Sequence, residues 1–242
     1  MKNGYDYVVV GGGSAGCVVA ARLSEDPAVR VGLIEAGKTD DVPEVHTPVA
    51  FPQLFKSEHD WDYSCEPEPA LCGRRVYLPR GKVLGGCSSM NAMIYIRGNR
   101  ADYDEWAKEG ATGWSYDELL PYFIKSEANE RGASPFHGAD GPLFVQDGRS
   151  QHPLIDRIIE AFVDAGHPHN KDFNGASQLG AGRFQFTQKD GLRCSAAAGF
   201  LRPACGRANL DVLTQVTVTR VVLQRSRAIA VEIRWHGGTR II

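Results

Sequence analysis

The sequence lacks several features that mark large classes of protein. Its six cysteines include no CxxC pair, so neither a zinc site nor a disulfide framework is indicated, and reduced thiols with structural or incidental roles are expected. No apolar stretch approaches the roughly 20 residues that span a bilayer, and the apolar run at the N-terminus is too short for a signal peptide. A cytoplasmic protein without a membrane span is therefore expected.

An excess of charge of one sign is also lacking. Lys and Arg total 27 against 29 Asp and Glu, and neither sign runs in blocks. This balance does not favour nucleic acid or an anionic membrane as a partner, and no sequence repeat or low-complexity tract is visible. The expected partner is a small molecule, and 242 residues suffice for one large domain or two smaller ones.

Glycine, by contrast, is concentrated near the N-terminus. The stretch YDYVVVGGGSAGCVVAARLSEDPAVRVGLIEAG begins at residue 5 and has the pattern of a βαβ unit. It predicts a strand over Tyr5–Val10, a glycine turn, a helix from Ser14 to about Ser24 and a second strand over Val29–Ile34. We call residues 11–16 the first glycine loop.

The first glycine loop has the spacing of a dinucleotide-binding fingerprint. Gly11 permits the tight turn out of the strand, Gly13 lets a pyrophosphate approach the main chain, and Gly16 lets the helix pack closely on the strand. The helix N-terminus offers free N–H groups to the phosphates. Glu35, at the end of the second strand, is placed to accept hydrogen bonds from the adenosine ribose, and its charge disfavours NADP. The unit predicts a site for the ADP half of NAD or of FAD, without separating the two.

A second glycine stretch, GKVLGGCSSMNAMI at residues 81–94, lies about 70 residues further along the chain. A site for NAD needs no such segment, whereas the remote ring of an extended FAD must be held by another part of the protein. Gly85 and Gly86 would let main chain lie against that ring. The small groups that can bond phosphate or ring edges are Cys87, Ser88, Ser89 and Asn91. FAD is favoured, and an NAD-dependent dehydrogenase is the alternative if the second glycine stretch is only a structural loop.

With these residues the sequence resembles the glucose-methanol-choline (GMC) family of FAD-dependent oxidoreductases. GKVLGGCSSMN follows the family's first signature except at Cys87, where Gly, Ser or Thr is usual. The stretches HDWDYSCEPEP, RADYDEWAKEGATGWSYDELLPYF and DGLRCSAAAGFLRPA also resemble the family, in the same order. In the choline oxidase branch a histidine bound covalently to the flavin precedes the signature's Asn. Met90 stands at that place, so the resemblance implies FAD held without a covalent bond.

The resemblance implies an α/β fold, in which a discontinuous, FAD-binding Rossmann-like domain is joined by the start of an α+β substrate domain. The implied FAD-binding parts are residues 1–144, with an excursion that covers the cofactor, and residues 191–242, which return as a β-meander. Residues 145–190 would belong to the substrate-binding domain. From the fingerprint and the resemblance together, the predicted cofactor-binding residues are Gly11, Gly13, Ser14, Ala15, Gly16, Glu35, Ala36, Val83, Gly86, Cys87, Asn91, Ala92, Met93, Ile94 and Val218.

The implied activity is the oxidation of an alcohol to an aldehyde or ketone by hydride transfer to flavin N5. In the family the catalytic histidine lies near the C-terminus of a chain more than twice this long. His236 stands in a Gly-rich hairpin that matches no catalytic position, so we assign no catalytic residue and no metal ligand. The expected partners are a small-molecule alcohol and the C-terminal half of the same protein or a second chain. The alternatives are a hydroxynitrile lyase or fatty-acid photodecarboxylase of the same fold, or a truncated chain that only binds nucleotide.

Three further segments give structural predictions. SYDELLPYFIKSEA predicts a helix that begins with a capping box of Ser115 and Glu118 and is kinked at Pro121. HPLIDRIIEAFVDAG predicts a structural helix with one apolar face. The alternating β-branched residues from Asn209 to Trp235 predict the β-meander.

Overall fold

The computed structural model describes residues 4–150 and 152–242. By their internal contacts these residues form two compact units. The first unit combines residues 4–92 with residues 195–242, and the second unit comprises residues 93–194. The boundary expected between residues 144 and 145 falls inside a strand of the second unit. The assignment of functional domains along the chain stays a prediction.

The described residues form helices and strands as follows. The α-helices are α1 (Ser14–Leu23), α2 (Pro43–His46), α3 (Arg100–Lys108), α4 (Tyr116–Ser126), α5 (Pro153–Asp164) and α6 (Arg202–Ala204). The strands are β1 (Tyr7–Val10), β2 (Val31–Ile34), β3 (Tyr63–Ser64), β4 (Tyr77–Leu78), β5 (Ile94–Tyr95), β6 (Glu127–Asn129), β7 (Leu143–Asp147), β8 (Gln185–Phe186), β9 (Gln188–Lys189), β10 (Leu192–Arg193), β11 (Leu210–Leu213), β12 (Thr217–Gln224), β13 (Arg227–Trp235) and β14 (Gly238–Ile241). No helix in this part of the chain is long and apolar enough to cross a membrane.

A three-stranded parallel sheet in the order β1-β2-β11 lies in the first unit. All four residues of the central strand β2 are buried, as expected for a parallel strand covered on both faces. Tyr7 of β1 and Leu210 of β11 both pair with Val31 of β2. Because α1 connects β1 to β2, the predicted βαβ unit is present.

The strands of this unit begin later than the sequence pattern suggested. The N–H of Val29 donates to the carbonyl oxygen of Asp26 (3.0 Å), which keeps Val29 in a turn, and β2 starts at Val31. The side-chain amide of Asn209 donates to the carbonyl oxygens of Asp26 (2.8 Å) and Val29 (2.7 Å). A residue 180 positions away thus holds the turn that follows α1.

The predicted β-meander is present only in its later part. Its first segment, Leu210–Leu213, joins the parallel sheet as β11 instead. The reason is a break at Gln215, whose φ of 58° turns the chain and whose N–H donates to the carbonyl oxygen of Gly37 (2.8 Å). Beyond this break β12, β13 and β14 form a three-stranded antiparallel sheet. The buried residues that pack the end of β2 against it are Ile34, Val216, Val231 and Ile233.

Residues 38–80 contain short helical turns and the hairpin β3-β4 rather than a domain of their own. The buried carboxylate of Asp60 organises part of this segment. It accepts hydrogen bonds from the N–H groups of Lys56 (2.9 Å) and Arg80 (2.9 Å) and from the hydroxyl of Tyr77. Burial opposes ionisation of Asp60, but these hydrogen bonds outweigh it and lower the pKa of the carboxyl group. Local polar contacts therefore hold a segment that has little periodic pattern.

The second unit contains a four-stranded sheet in the order β5-β8-β7-β6. β6 and β7 are parallel, and the other neighbours are antiparallel. The predicted capping box begins α4, because the carboxylate of Glu118 accepts a hydrogen bond from the N–H of Ser115 (3.1 Å). The helix continues through Pro121 to Ser126.

Helix α5 is also in the second unit and follows the predicted apolar spacing. It ends shortly before Gly166, whose φ of 96° suits a C-terminal cap. Its apolar face is not covered by the described residues, since Leu154, Ile158 and Phe162 are 48 to 58% exposed. The apolar face of this amphipathic helix is therefore exposed in this structure.

Candidate cofactor site

The first glycine loop joins β1 to α1 in the first unit. Gly11 has a φ of 92°, which favours glycine, and a Cβ atom at Gly16 would overlap the carbonyl oxygen of Gly11. A Cβ atom at Gly13, by contrast, would meet no atom within 4 Å. This geometry suits the role predicted for each glycine: the tight turn at Gly11, the close approach of a ligand at Gly13 and the helix packing at Gly16.

The N-terminus of α1 is open to a ligand. Gly13 is its N-cap residue, no side chain caps it, and the first turn has no acidic residue. Its first α-helical hydrogen bond runs from the N–H of Cys17 to the carbonyl oxygen of Gly13 (3.0 Å). The preceding amides and the positive end of the helix dipole favour an anion at this place. Ser14 and Ala15, both predicted contacts, are exposed there.

Glu35 follows directly after β2 and is buried. Its carboxylate accepts hydrogen bonds from the N–H groups of Gly12 and Gly37, each at 2.7 Å. Burial raises the pKa of Glu35, and the hydrogen bonds from Gly37, Gly12 and Ala36 act in the opposite direction. A carboxylate has about four acceptor positions, so two bonds leave capacity for ribose hydroxyls. The residue thus ties the first glycine loop to β2 and remains able to accept from a ligand.

The second glycine stretch forms a tight turn with two residues in the left-handed region. The φ angles of Gly85 and Gly86 are 86° and 53°. The hydroxyls of Ser88 and Ser89 donate to the carbonyl oxygens of Gly85 and Leu84, each at 2.6 Å. These hydroxyls thus stabilise the turn itself, a role that the sequence did not indicate.

The two glycine stretches are in direct contact. The N–H of Gly85 donates to the carbonyl oxygen of Gly12 at 2.7 Å. A Cβ atom at Gly86 would come within 2.7 Å of the Cα atom of Gly13, and one at Gly12 would come within 2.9 Å of a methyl carbon of Leu84. The backbone of Gly86 thus packs against that of Gly13, and the side chain of Leu84 packs against Gly12, so a side chain at Gly12 or Gly86 would overlap the other stretch. Sequence reasoning assigned Gly85 and Gly86 to the cofactor and missed this mutual packing.

The remaining predicted contacts lie at several places in the fold. Val83 is buried, and Cys87 accepts a hydrogen bond from the N–H of Gly81 at its sulfur (3.5 Å). Val218 lies in β12 and packs against the cluster that contains Ile34. The predicted members of the first unit are Gly11, Gly13, Ser14, Ala15, Gly16, Glu35, Ala36, Val83, Gly86, Cys87, Asn91, Ala92 and Val218. Two further predicted contacts, Met93 and Ile94, belong to the second unit.

Met93 and Ile94 differ in their surroundings within the second unit. Met93 is buried and has a φ of 62°, and its carbonyl oxygen accepts a hydrogen bond from the N–H of Thr187 (2.8 Å). Ile94 begins β5 and is 46% exposed. Among the described residues, no cluster of three or more His, Cys, Asp or Glu side chains could hold a metal ion.

Comparison with known proteins agrees with this geometry. The family model described as GMC oxidoreductase matches residues 5–242. The mitochondrial choline dehydrogenase of Homo sapiens is 46% identical over 98% of this chain and 41% of its own length. The oxygen-dependent choline dehydrogenase of Vibrio vulnificus is 42% identical over 99% of this chain and 43% of its own length. The chain thus spans less than half the length of these relatives.

Solved structures give the same result. Pyridoxine 4-oxidase from Mesorbium loti superimposes with a TM-score of 0.94 at 37% sequence identity, and the match covers 99% of this chain and 48% of the oxidase chain. An FAD-dependent oxidoreductase from Chaetomium thermophilum superimposes with a TM-score of 0.91 at 29% sequence identity, and the match covers 99% of this chain and 44% of the oxidoreductase chain. The α/β FAD-binding fold predicted from the sequence is confirmed, and the alternative of an NAD-dependent dehydrogenase is wrong. The chain belongs to the GMC oxidoreductase family, and its cofactor is FAD.

Proposed function

We propose that this chain supplies the FAD-binding part of an enzyme that oxidises a small primary alcohol, of the choline dehydrogenase type. The FAD-binding role is supported by the contact between the first glycine loop and the second glycine stretch beside Glu35. The alcohol substrate is supported by the similarity to the choline dehydrogenases. When bound, FAD would supply the acceptor for the hydride that the alcohol carbon loses. The protein's part is to bind and orient the cofactor.

The proposed arrangement places the pyrophosphate of FAD at the N-terminus of α1, beside Gly13, Ser14 and Ala15. The open space at the missing side chain of Gly13 supports this placement. Glu35 would accept hydrogen bonds from the adenosine ribose, and Val218 would border the adenine. The part of the second glycine stretch that lies in the first unit, from Val83 to Ala92, would serve the flavin end.

We further propose that the flavin is held without a covalent bond. Met90 stands where the choline oxidase branch has its flavin-linked histidine, and it has no nucleophilic nitrogen. Its side chain is buried in an apolar cluster with Val45 and Leu54. Denaturation in acid should therefore release all of the flavin into the supernatant. Flavin that stays with the precipitated protein would contradict this proposal.

The catalytic base and most of the substrate pocket are proposed to lie outside residues 1–242. The two choline dehydrogenases extend over more than twice the matched length. Two exposed surfaces support the proposal that further polypeptide covers this part of the protein. β1 is paired on one side only among the described strands, with Tyr7 and Val10 51 and 54% exposed, and the apolar face of α5 is also exposed. Because unpaired strand edges and large apolar patches are unfavourable in water, further polypeptide is expected on them.

The decisive experiment measures the flavin spectrum of the protein purified at its natural length. Adding choline without oxygen should bleach the flavin bands, and a panel of other primary alcohols should define the substrate. Cleavage of a cyanohydrin without bleaching would favour a hydroxynitrile lyase, and light-dependent loss of CO2 from a fatty acid would favour a photodecarboxylase. A protein that binds FAD but turns over none of these substrates, even with the C-terminal portion of a relative added, would be a nucleotide-binding chain without activity of its own.

We propose a cytoplasmic location for the chain. The human relative is named as mitochondrial, and the cytoplasmic location expected from the sequence stays a prediction. Fractionation of cells that express a tagged chain at its natural length would test it.

A further inference from the structure

The thiol of Cys17 makes a contact inside the first glycine loop that the proposed function does not use. Cys17 lies one turn into α1 and is completely buried. Its sulfur donates a hydrogen bond to the carbonyl oxygen of Gly12 at 3.1 Å. The same oxygen accepts the N–H of Gly85 at 2.7 Å. One carbonyl oxygen is thus held by two donors, one from each side of the contact between the two glycine stretches.

The orientation of this carbonyl fixes the orientation of the next amide. A trans peptide is planar, so the carbonyl of residue 12 and the N–H of residue 13 point in opposite directions, and the described residues contain no cis peptide bond. Since the carbonyl of Gly12 faces the buried thiol and the N–H of Gly85, the N–H of Gly13 faces away from them. Apart from Gly13 and its two chain neighbours, no described residue has an atom within 4 Å of the position that a Cβ atom would take at Gly13. The amide therefore joins the free N–H groups at the start of α1.

The thiol is suited to donate rather than to react. Burial raises the pKa of Cys17 to about 12, so the sulfur keeps its proton at physiological pH. Ser24 and Ser89 donate in a similar way to carbonyl oxygens near their own turns. At Cys17, however, the accepting carbonyl belongs to the peptide between Gly12 and Gly13. The N–H of that peptide faces the predicted position of the pyrophosphate.

We propose that Cys17 is a positioning residue for FAD: its S–H group, together with the N–H of Gly85, holds the carbonyl of Gly12 so that the N–H of Gly13 donates to the pyrophosphate. This inference rests on the proposed placement of the pyrophosphate at the first glycine loop. It predicts that Cys17 affects the binding of ligands with a pyrophosphate and leaves the binding of adenosine unchanged. A purely structural role would not separate the two ligands.

The test compares ADP and adenosine as competitors of FAD on the full-length protein freed of its cofactor. Cys17→Ala should weaken ADP binding about tenfold, because a misdirected amide loses a hydrogen bond to a charged group, and adenosine binding should change less than about twofold. Cys17→Ser keeps a donor and should restore most of the ADP affinity. Cys65→Ala, which removes a thiol far along the sequence, should match the wild type for both ligands. Equal losses for ADP and adenosine in Cys17→Ala, or no loss for either, would overturn the proposal.

A second measurement uses the wild-type protein and does not depend on the folding of a variant. The Gly13 amide resonance of the ¹⁵N-labelled protein should shift on addition of ADP and stay in place on addition of adenosine. If the Gly13 resonance stays in place on addition of ADP while the amide resonances of α1 shift, the positioning role of Cys17 is overturned and the proposed site is not. A wild-type protein that binds neither FAD nor ADP would instead overturn the proposed site.

Discussion

A close contact in the first unit differs in kind from a polar network in the second unit. In the first unit, the first glycine loop and the second glycine stretch meet mainly through backbone atoms, with a hydrogen bond of 2.7 Å between Gly85 and Gly12 and no room for a side chain at Gly86. In the second unit, a buried network of charged side chains joins distant segments. Its centre is Glu127, which contacts Arg97 at 2.7 Å and His137 at 2.9 Å.

The network of the second unit extends to two loops. The other ring nitrogen of His137 contacts the carboxylate of Asp172 at 2.9 Å. The side-chain amide of Asn174 bridges the end of β5 and the residues after it, since it accepts the N–H of Arg97 (2.8 Å) and donates to the carbonyl oxygen of Tyr95 (3.0 Å). Backbone contacts depend on the absence of side chains, whereas this network depends on the identity of each one. The two units should therefore respond differently to substitution.

The largest effect is expected at Glu127. Glu127→Gln removes the charge that compensates the buried guanidinium of Arg97 and one acceptor of His137, and it should lower the free energy of unfolding by about 3 to 5 kcal/mol. Glu160→Gln, which breaks an exposed pair with Arg157 on α5, should cost less than about 0.5 kcal/mol. Urea denaturation of both variants measures the difference. Equal losses of unfolding free energy in the two variants would contradict a stabilising role of the buried network around Glu127.

Gly86→Ala should have the next largest effect. The new methyl group would meet the Cα atom of Gly13 at 2.7 Å, and the φ of 53° is unfavourable for alanine, so we expect a loss of about 3 kcal/mol. The matched control is Gly206→Ala, where the methyl group would meet nothing within 4 Å and φ is not positive. Thermal unfolding of the two variants should differ clearly. A Gly86→Ala protein as stable as the control would argue against tight packing of the two stretches.

Gly13→Ala should separate binding from stability. Its methyl group meets no protein atom, so the loss of stability should stay below about 1 kcal/mol, the cost of a poorer N-cap. The same methyl group would enter the space proposed for the pyrophosphate, and FAD binding should weaken at least about tenfold. Titration of the cofactor-free protein with FAD, followed by flavin fluorescence, measures this change. Unchanged affinity would move the pyrophosphate away from α1.

The smallest effect is a pH dependence of the second unit. The hydrogen bond with Glu127 raises the pKa of His137, with Asp172 acting in the same direction against burial. Because the folded-state pKa is raised, the stabilisation is complete below the ordinary histidine value of about 6.5 and is lost as the pH rises through the raised value. A pH series of unfolding free energies should show this decline in the wild type and a weaker one in His137→Gln. Identical profiles would mean that the imidazole carries no linked proton.

The sequence predicted the parts of the fold that depend on local rules. Gly11, Gly13 and Gly16 have the expected turn, open space and close packing, and Glu35 follows β2 because the βαβ pattern fixes its place. Leu210–Leu213 was misplaced, since an alternating pattern does not tell which sheet a strand joins. That choice depends on the turn at Gln215.

Two other features could not be read from local patterns. The glycines of the second stretch were correctly singled out, but their packing against Gly12 and Gly13 needs contacts across about 70 residues. The network around Glu127 joins residues up to 79 positions apart, and each of its members is an ordinary surface type in the sequence. Contacts between residues that are far apart in the sequence leave no periodic pattern, so local sequence patterns do not predict them.

Hydrogen exchange with and without FAD tests most directly whether the two glycine stretches form one cofactor site. The full-length protein, freed of flavin, would be compared before and after reconstitution, at single-amide resolution. Slower exchange on FAD binding is predicted for amides of both the first glycine loop and residues 86–92, together with those that follow β2. Protection confined to the first loop, with residues 86–92 unchanged, would contradict the account.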